Sequence, residues 1–93
     1  SMMSTFTRRQ QMHRVQVELL DLFTRKNMDY GDSFAEHGPV GVLIRMGDKL
    51  KRLVAVTKNS VSLVDDESVR DTLLDLANYA QMAVMLLDEE SKA

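Results

Sequence analysis

Four charged residues have spacings that place them on one face of a helix: Arg45, Asp48, Lys49 and Arg52. Residues three and four apart are neighbours on an α-helix surface. Arginine guanidinium groups form forked hydrogen bonds with phosphate oxygens, and lysine adds a compact positive charge. The pattern therefore indicates a phosphate-binding helix face. The simpler alternative is a solvated face on which the same charges form ion pairs within the helix.

A second polar cluster consists of Asp71, Asp75 and Asn78, again at spacings of four and three. Their oxygens suit Mg²⁺, which prefers carboxylate and water ligands and often binds together with nucleotide phosphates. Asp48, Asp71 and Asp75 are therefore the candidate Mg²⁺ ligands. In the alternative interpretation, the two later aspartates pair with the cations of the first cluster and hold two antiparallel helices together.

A third cluster, residues 26–32, supplies a cation, an amide, two carboxylates, a phenol and a flexible glycine. Lys26, Asn27, Asp29 and Tyr30 are its candidate ligand-binding residues, because these groups can hold a sugar or a phosphate. The alternative is a helix C-terminus followed by a polar turn. One glycine is too few for the glycine-rich loop of a P-loop.

Composition argues against several other kinds of site. The 93 residues include no cysteine, which removes disulfides, thiolate nucleophiles and cysteine-bound zinc and fits a reducing, cytoplasmic compartment. His13 and His37 have no partner at metal-ligand spacing, and Ser33 and Ser62 lack a nearby base. A net charge of −2 disfavours general nucleic-acid binding. No apolar run reaches the roughly 20 residues that a bilayer requires, and no signal peptide is visible.

Three helices are needed to position these clusters. The first is predicted from Thr7, as N-cap with Gln10 in a capping box, to about Lys26. The second is predicted over 40–59 and the third over 66–90, after a turn at 60–65. Residues 27–38 are predicted to form a polar loop with one short helical turn around Phe34 to His37. Ser1 before Met2 is typical of a scar from a cleaved tag, so residues 1–6 are expected to be a flexible N-terminus and 7–90 a single domain.

Each predicted helix has an apolar stripe at helical spacing. In the first helix the stripe is Met12, Val15, Leu19 and Leu22, with Phe23 beside it; in the second it is Leu43, Met46, Leu50, Leu53 and Thr57; in the third it is Val69, Leu73, Leu76, Ala80, Val84 and Leu87. The charged clusters of the last two helices are predicted on the opposite faces. These stripes indicate an all-α fold, a three-helix antiparallel bundle.

The third helix is also apolar outside its stripe, at Met82, Met85 and Leu86. A helix that is apolar nearly all round is normally buried, and two other helices cannot cover it on every side. The sequence therefore predicts that the protomers assemble into a homo-oligomer.

Together the three clusters resemble a known family, the phage and bacterial nucleotide-modification-associated domain of the first type. The resemblance covers about residues 23–87 and is carried by three segments, 26–34, 45–53 and 66–80. A more distant similarity is to all-alpha MazG-like nucleotide pyrophosphohydrolases. The segment Asp75 to Asn78 resembles their Glu-x-x-Asp motif, with Asp75 in place of the glutamate and Asn78 in place of the aspartate. Arg45 stands where that group has an acidic residue, so the similarity is incomplete at the first metal motif.

The resemblance implies a phage or prophage origin and a link to nucleotide metabolism. We therefore expect a helical homo-oligomer that binds a phosphorylated nucleotide or nucleotide-derived signal, and in a phage such binding could sequester a host defence messenger in the host cytoplasm. The expected phosphate contacts are Lys26, Arg45, Lys49 and Arg52, and the expected sugar or base contacts are Asp29, Tyr30 and Asn78. The rival hypothesis is a Mg²⁺-dependent pyrophosphohydrolase, and a third is an interaction subunit whose charges only specify assembly.

Overall fold

The structure is a computed structural model that describes residues 4–59 and 63–92. Helix α1 spans Thr5–Tyr30, a short 3₁₀ helix spans Ser33–Ala35, helix α2 spans Gly38–Asn59 and helix α3 spans Glu67–Lys92. Over these described ranges there is no β-strand. The prediction of an all-helical fold with three α-helices is confirmed.

Helix α1 is longer at both ends than the sequence pattern predicts. Ser4 caps it, because the Ser4 hydroxyl oxygen accepts a hydrogen bond from the Thr7 backbone N–H at 3.1 Å. The prediction that Thr7 is the cap is therefore wrong. The helix ends at Gly31, whose φ of 61° and ψ of −150° suit glycine alone, and whose N–H donates to the Asn27 carbonyl at 2.7 Å. Residues 27–30 are thus helical and do not belong to a loop.

The connection to α2 contains the short helical turn that the sequence predicts. Its 3₁₀ helix, Ser33–Ala35, packs against α2. Helix α2 then begins at Gly38, with a φ of 65°, and places Pro39 in its first turn, where a missing N–H costs no hydrogen bond. It ends at Asn59 as predicted. Residues 60–62 of the predicted turn lie outside the described residues.

Helix α3 starts with a side-chain cap at Asp66. One carboxylate oxygen of Asp66 accepts hydrogen bonds from the Ser68 hydroxyl at 2.6 Å and from the Ser68 backbone N–H at 2.9 Å. The Ser68 hydroxyl, followed by the backbone N–H groups, lowers the pKa of the Asp66 carboxyl below its ordinary value. The helix therefore begins where the sequence predicts, and it continues to Lys92, two residues beyond the predicted end.

The chain divides into two compact units, one ending at Gly31 and the other beginning at Asp32. Within the second unit, α2 packs against α3. Lys49 contacts Asp75, and a Cβ added at Gly38 would lie 3.6 Å from the Glu90 carboxylate. The later residue of α2, Lys49, contacts the earlier residue of α3, Asp75, whereas Gly38 lies near Glu90, so the two helices are antiparallel. The predicted domain limits, 7–90, stay a prediction.

The α2 and α3 faces that are buried differ from the predicted ones. On α2, Val42 is 2 % exposed and Met46, Lys49, Leu53 and Val56 are half-buried. The buried residues of α3 are Val69, Thr72, Asn78, Met82, Ala83 and Leu86. Seven residues of the predicted stripes are exposed: Leu43, Leu50, Leu73, Val84 and Leu87 by 51–57 %, and Thr57 and Ala80 as well. The predicted stripes are wrong at these positions because both helices are apolar on two faces.

The difference between the predicted and the observed buried faces affects two further expectations. The sequence argument for an oligomer depends on Met82, Met85 and Leu86. Met85 is 43 % exposed, but Met82 and Leu86 are only 9 % and 5 % exposed within the single chain, so the three do not form an open apolar patch. On α1, Leu19 is buried as predicted and Leu22 and Phe23 are half-buried. Met12 and Val15 of the same predicted stripe are exposed.

Candidate functional site

The centre of the candidate site is an ion pair between α2 and α3. Lys49 Nζ donates to Asp75 Oδ2 at 3.1 Å, and the two side chains are 23 % and 21 % exposed. Lys49 occupies a position in the buried face of α2, with Met46 and Leu53 on either side along the helix. The prediction that Lys49 projects away from the buried face is therefore wrong. The alternative interpretation, in which Asp71 and Asp75 pair with cations of α2, is confirmed for Asp75 but not for Asp71, which makes no ion pair with a described residue.

Arg45 and Arg52 lie one helical turn before and one turn after Lys49. Both arginines are exposed, and neither makes an ion pair or hydrogen bond with any residue that the structure describes. Asp48 is exposed on the same helix. Two guanidinium groups without a carboxylate partner beside a partly buried lysine form a surface that favours anions.

Asp71 and Asn78 lie one turn on either side of Asp75 on α3. Asp71 is exposed, whereas Asn78 is 7 % exposed and its Oδ1 accepts a hydrogen bond from Gln81 Nε2 at 3.3 Å. The sequence pattern did not single out Gln81, although its position three residues after Asn78 is the spacing that brings side chains together on a helix. A buried amide held by a second amide is a polar group with a fixed orientation.

The structure does not gather the three candidate Mg²⁺ ligands into a group. Over residues 4–59 and 63–92, no three histidine, aspartate or glutamate side chains are close enough to hold a metal ion together. One oxygen of Asp75 already accepts from Lys49, and Asp71 follows the same face of α3 one turn earlier. Since Mg²⁺ often uses only one or two protein carboxylates and takes the rest of its ligands from phosphate and water, its binding here stays a prediction.

The remaining candidates, Lys26, Asn27, Asp29 and Tyr30, lie in the last turn of α1, in the first compact unit. Lys26, Asp29 and Tyr30 are exposed. The Asn27 carboxamide differs, because its Oδ1 atom is buried and accepts no hydrogen bond from the residues that the structure describes. A buried acceptor without a donor costs free energy.

Other features of the surface are separate from these candidates. An open groove of about 560 Å³ runs along the first turns of α1 and contains none of the candidate residues. His13 is exposed, and His37 is exposed beside Glu36, with 4.0 Å between His37 Nε2 and Glu36 Oε2. No helix in the described part of the chain is long and apolar enough to cross a membrane.

Taken together, the α2 and α3 residues form a polar face with two open arginines, a lysine held by an aspartate, and an oriented amide. This face can bind an anion through charge and forked hydrogen bonds and can add amide hydrogen bonds to a neighbouring group. The residues of this face do not include a nucleophile paired with a base, and binding an anion does not need one.

Comparison with known proteins identifies one family. The family described as nucleotide modification associated domain 1 matches residues 26–87, which is two thirds of the chain and includes every candidate residue from Lys26 to Asn78. Neither the curated proteins nor the solved structures gave a match. The match covers the end of α1, α2 and most of α3, and the chain belongs to the nucleotide modification associated domain 1 family.

Proposed function

We propose that this chain is a homo-oligomeric helical domain that binds a phosphorylated nucleotide or a nucleotide-derived signal. The observation that carries the proposal is the pair of exposed arginines, Arg45 and Arg52, which flank the Lys49–Asp75 ion pair and make no ion pair of their own among the described residues. In this proposal the two guanidinium groups contact phosphate oxygens.

The ion pair gives this phosphate-binding face its orientation. Asp75 holds the Lys49 ammonium at 3.1 Å and neutralises most of its charge, so the net positive charge of the face comes from Arg45 and Arg52. The family description links this stretch of sequence to nucleotides, which narrows the anion from phosphate in general to a phosphorylated nucleotide. In this proposal Asn78 supplies an amide group for contacts with sugar or base.

Binding alone is sufficient for the biological role that we propose. If the chain is encoded by a phage, an abundant small protein that holds a nucleotide messenger lowers the free concentration of that messenger in the host cytoplasm without any catalytic step. The effect depends on the ratio of protein to messenger and on the dissociation constant.

The proposal can be tested by recovering the bound molecule. The protein is incubated with linear nucleotides and cyclic dinucleotides in the presence of Mg²⁺, separated from free nucleotide by gel filtration, and heated to release what it holds. We expect chromatography to recover one or more nucleotides intact. Retention of no nucleotide by the wild-type protein would count against the proposal.

A second candidate function, Mg²⁺-dependent hydrolysis of a nucleotide pyrophosphate, is favoured by one feature. Asp71 is exposed one turn from Asp75 on the same face of α3, where a carboxylate could bind a metal that a nucleotide brings with it. Recovery of a nucleoside monophosphate and pyrophosphate in the same experiment, dependent on Mg²⁺ and lost in Asp71→Asn, would support this candidate over simple binding.

A further inference from the structure

The two open arginines of α2 lie on one line along the helix. Arg45 and Arg52 are seven residues apart, which places them about 10 Å apart along the helix axis and only about 20° apart around it. Both are exposed, and neither makes an ion pair with a residue that the structure describes. The face therefore has two separate positive ends.

The middle of this line carries net negative charge. Asp48 and Lys49 lie on either side of it, each about 40–60° around the helix from the two arginines. Asp75 holds the Lys49 ammonium at 3.1 Å and neutralises most of its charge. Asp48 is exposed and makes no ion pair with a described residue, so its carboxylate is the net charge of the middle.

The charge therefore alternates along α2 from positive to negative to positive. All of these residues belong to the compact unit that begins at Asp32. Lys51 is the remaining charged residue between Arg45 and Arg52, and it lies about 100° around the helix from Arg52, on the side away from Lys49. The alternation follows from the spacing within one helix together with the contact between Lys49 and Asp75.

This alternation discriminates between two ways of arranging the phosphates of a nucleotide. The phosphates of a nucleoside 5′-triphosphate are contiguous, so a triphosphate that reaches both arginines places its middle phosphate beside Asp48, and the two negative charges repel. A nucleotide whose phosphates are separated by a sugar places a neutral group there. An ionised carboxylate is an acceptor only, so Asp48 favours a neutral group that donates, such as a sugar hydroxyl.

We infer that the ligand of this face is a nucleotide with two phosphate groups separated by at least one sugar. One phosphate binds Arg45, the other binds Arg52, and Asp48 accepts a hydrogen bond from the sugar between them. The inference rests on the proposed nucleotide binding and narrows the class of its ligand. A triphosphate also binds, because both arginines attract it, but it binds more weakly.

The main test compares two kinds of nucleotide of similar total charge. Isothermal titration calorimetry measures the dissociation constants of the 3′,5′-bisphosphate and the 5′-triphosphate of each of the four ribonucleosides. EDTA is present, so that no metal ion bridges Asp48 and a phosphate. For the base that binds best, the bisphosphate should bind at least about tenfold more tightly than the triphosphate.

Asp48→Asn should remove most of this preference. The triphosphate should bind about five- to tenfold more tightly to the variant, because the repelling charge is gone. The bisphosphate should change by less than about twofold, because the loss of a charge-assisted hydrogen bond offsets the lower negative charge. Asp88→Asn is the matched control: it removes an exposed carboxylate of α3 thirteen residues after Asp75 and should leave both dissociation constants unchanged.

A double-mutant cycle on the two arginines tests whether they hold separate phosphates. Arg45→Ala and Arg52→Ala should each weaken binding of the bisphosphate by about tenfold, and the double variant by about a hundredfold, since independent contacts add in free energy. Two arginines that grip the same phosphate would give losses that do not multiply. Circular dichroism of each variant checks that its helix content equals that of the wild-type protein.

The inference is overturned if the triphosphate binds as tightly as the bisphosphate in EDTA, if Asp48→Asn keeps the full preference, or if the losses at the two arginines do not multiply. Each of these results leaves the proposed nucleotide binding intact. If the wild-type protein binds neither kind of nucleotide and also retains none on gel filtration, the proposed nucleotide binding fails and this inference fails with it.

Discussion

At the scale of single residues, the ion pair between Lys49 and Asp75 has both a structural and an electrostatic role. Each side chain is about four-fifths buried, so either charge left alone would be poorly solvated. The pair also fixes the position of the Lys49 ammonium between Arg45 and Arg52, although Asp75 neutralises most of its charge. These two roles can be separated by removing one partner or both.

We predict that Lys49→Met lowers the free energy of unfolding by about 1–3 kcal/mol, because it leaves the Asp75 carboxylate partly buried without its ammonium. Adding Asp75→Leu should recover most of that loss, since apolar pairs often replace an ion pair without cost. Urea denaturation of the two single variants and the double variant measures the coupling. A double variant less stable than Lys49→Met would contradict the prediction.

The buried Asn27 oxygen leads to a second residue-scale prediction. Because Asn27 Oδ1 is buried without a donor, Asn27→Leu should leave the melting temperature of the ligand-free protein unchanged or raise it. Asn59→Leu is the control. Asn59 is an exposed asparagine of α2 whose side chain donates to the Ala55 carbonyl, and the substitution should remove only this hydrogen bond. A clear loss of ligand-free stability in Asn27→Leu would show that the oxygen has a structural partner.

At the scale of the helices, the cap of α3 makes its stability depend on pH. Hydrogen bonds from Ser68 lower the folded-state pKa of Asp66, so the cap contributes stability above the ordinary carboxyl pKa, and that contribution is lost as the pH falls through the lowered value. Asn is also an N-cap residue but does not titrate. We therefore predict that the wild-type melting temperature falls relative to that of Asp66→Asn between about pH 6 and about pH 2.

The matched control for this prediction is Asp65→Asn, which removes the neighbouring exposed carboxylate without touching the cap. Thermal denaturation followed by circular dichroism gives the comparison. The prediction fails if the two variants show the same dependence on pH.

The sequence predicted the helices better than it predicted their faces. Periodicity, capping residues and glycines locate α2 and α3 to within two residues. It did not identify the buried side, because α2 has one apolar stripe through Val42 and a second through Leu43 and Leu50, and periodicity has no way to rank two stripes of similar character. It likewise assigned Asn27 to a loop, since the glycine that ends α1 comes four residues later.

In the candidate site, too, the sequence pattern predicts which residues share a helix face, but packing decides which of them contact each other. The spacing of Arg45, Lys49 and Arg52 was sufficient to group the cations, and that of Asp71, Asp75 and Asn78 to group the polar residues of α3. Which cation pairs with Asp75 depends on the rotation of α2 against α3, which brings Lys49 rather than Arg52 to the carboxylate. The buried, unpaired oxygen of Asn27 has no signature in the sequence.

At the scale of the whole molecule, the α2–α3 pair has two different faces. We propose that the face with the exposed Arg45 and Arg52 binds the ligand. Leu43, Leu50 and Val84, which the sequence assigns to the core, are 51–57 % exposed, whereas Met82 and Leu86 are buried within the protomer.

The central claim, that the open arginines bind phosphate, is tested most directly by a thermal shift with inorganic triphosphate. Wild-type protein should melt at a higher temperature in its presence, because a ligand stabilises the state that binds it. Arg52→Ala should leave the ligand-free free energy of unfolding within about 0.5 kcal/mol and should abolish most of the rise. Lys51→Ala, which removes the adjacent exposed cation, should keep the rise. A full rise in Arg52→Ala would contradict the account.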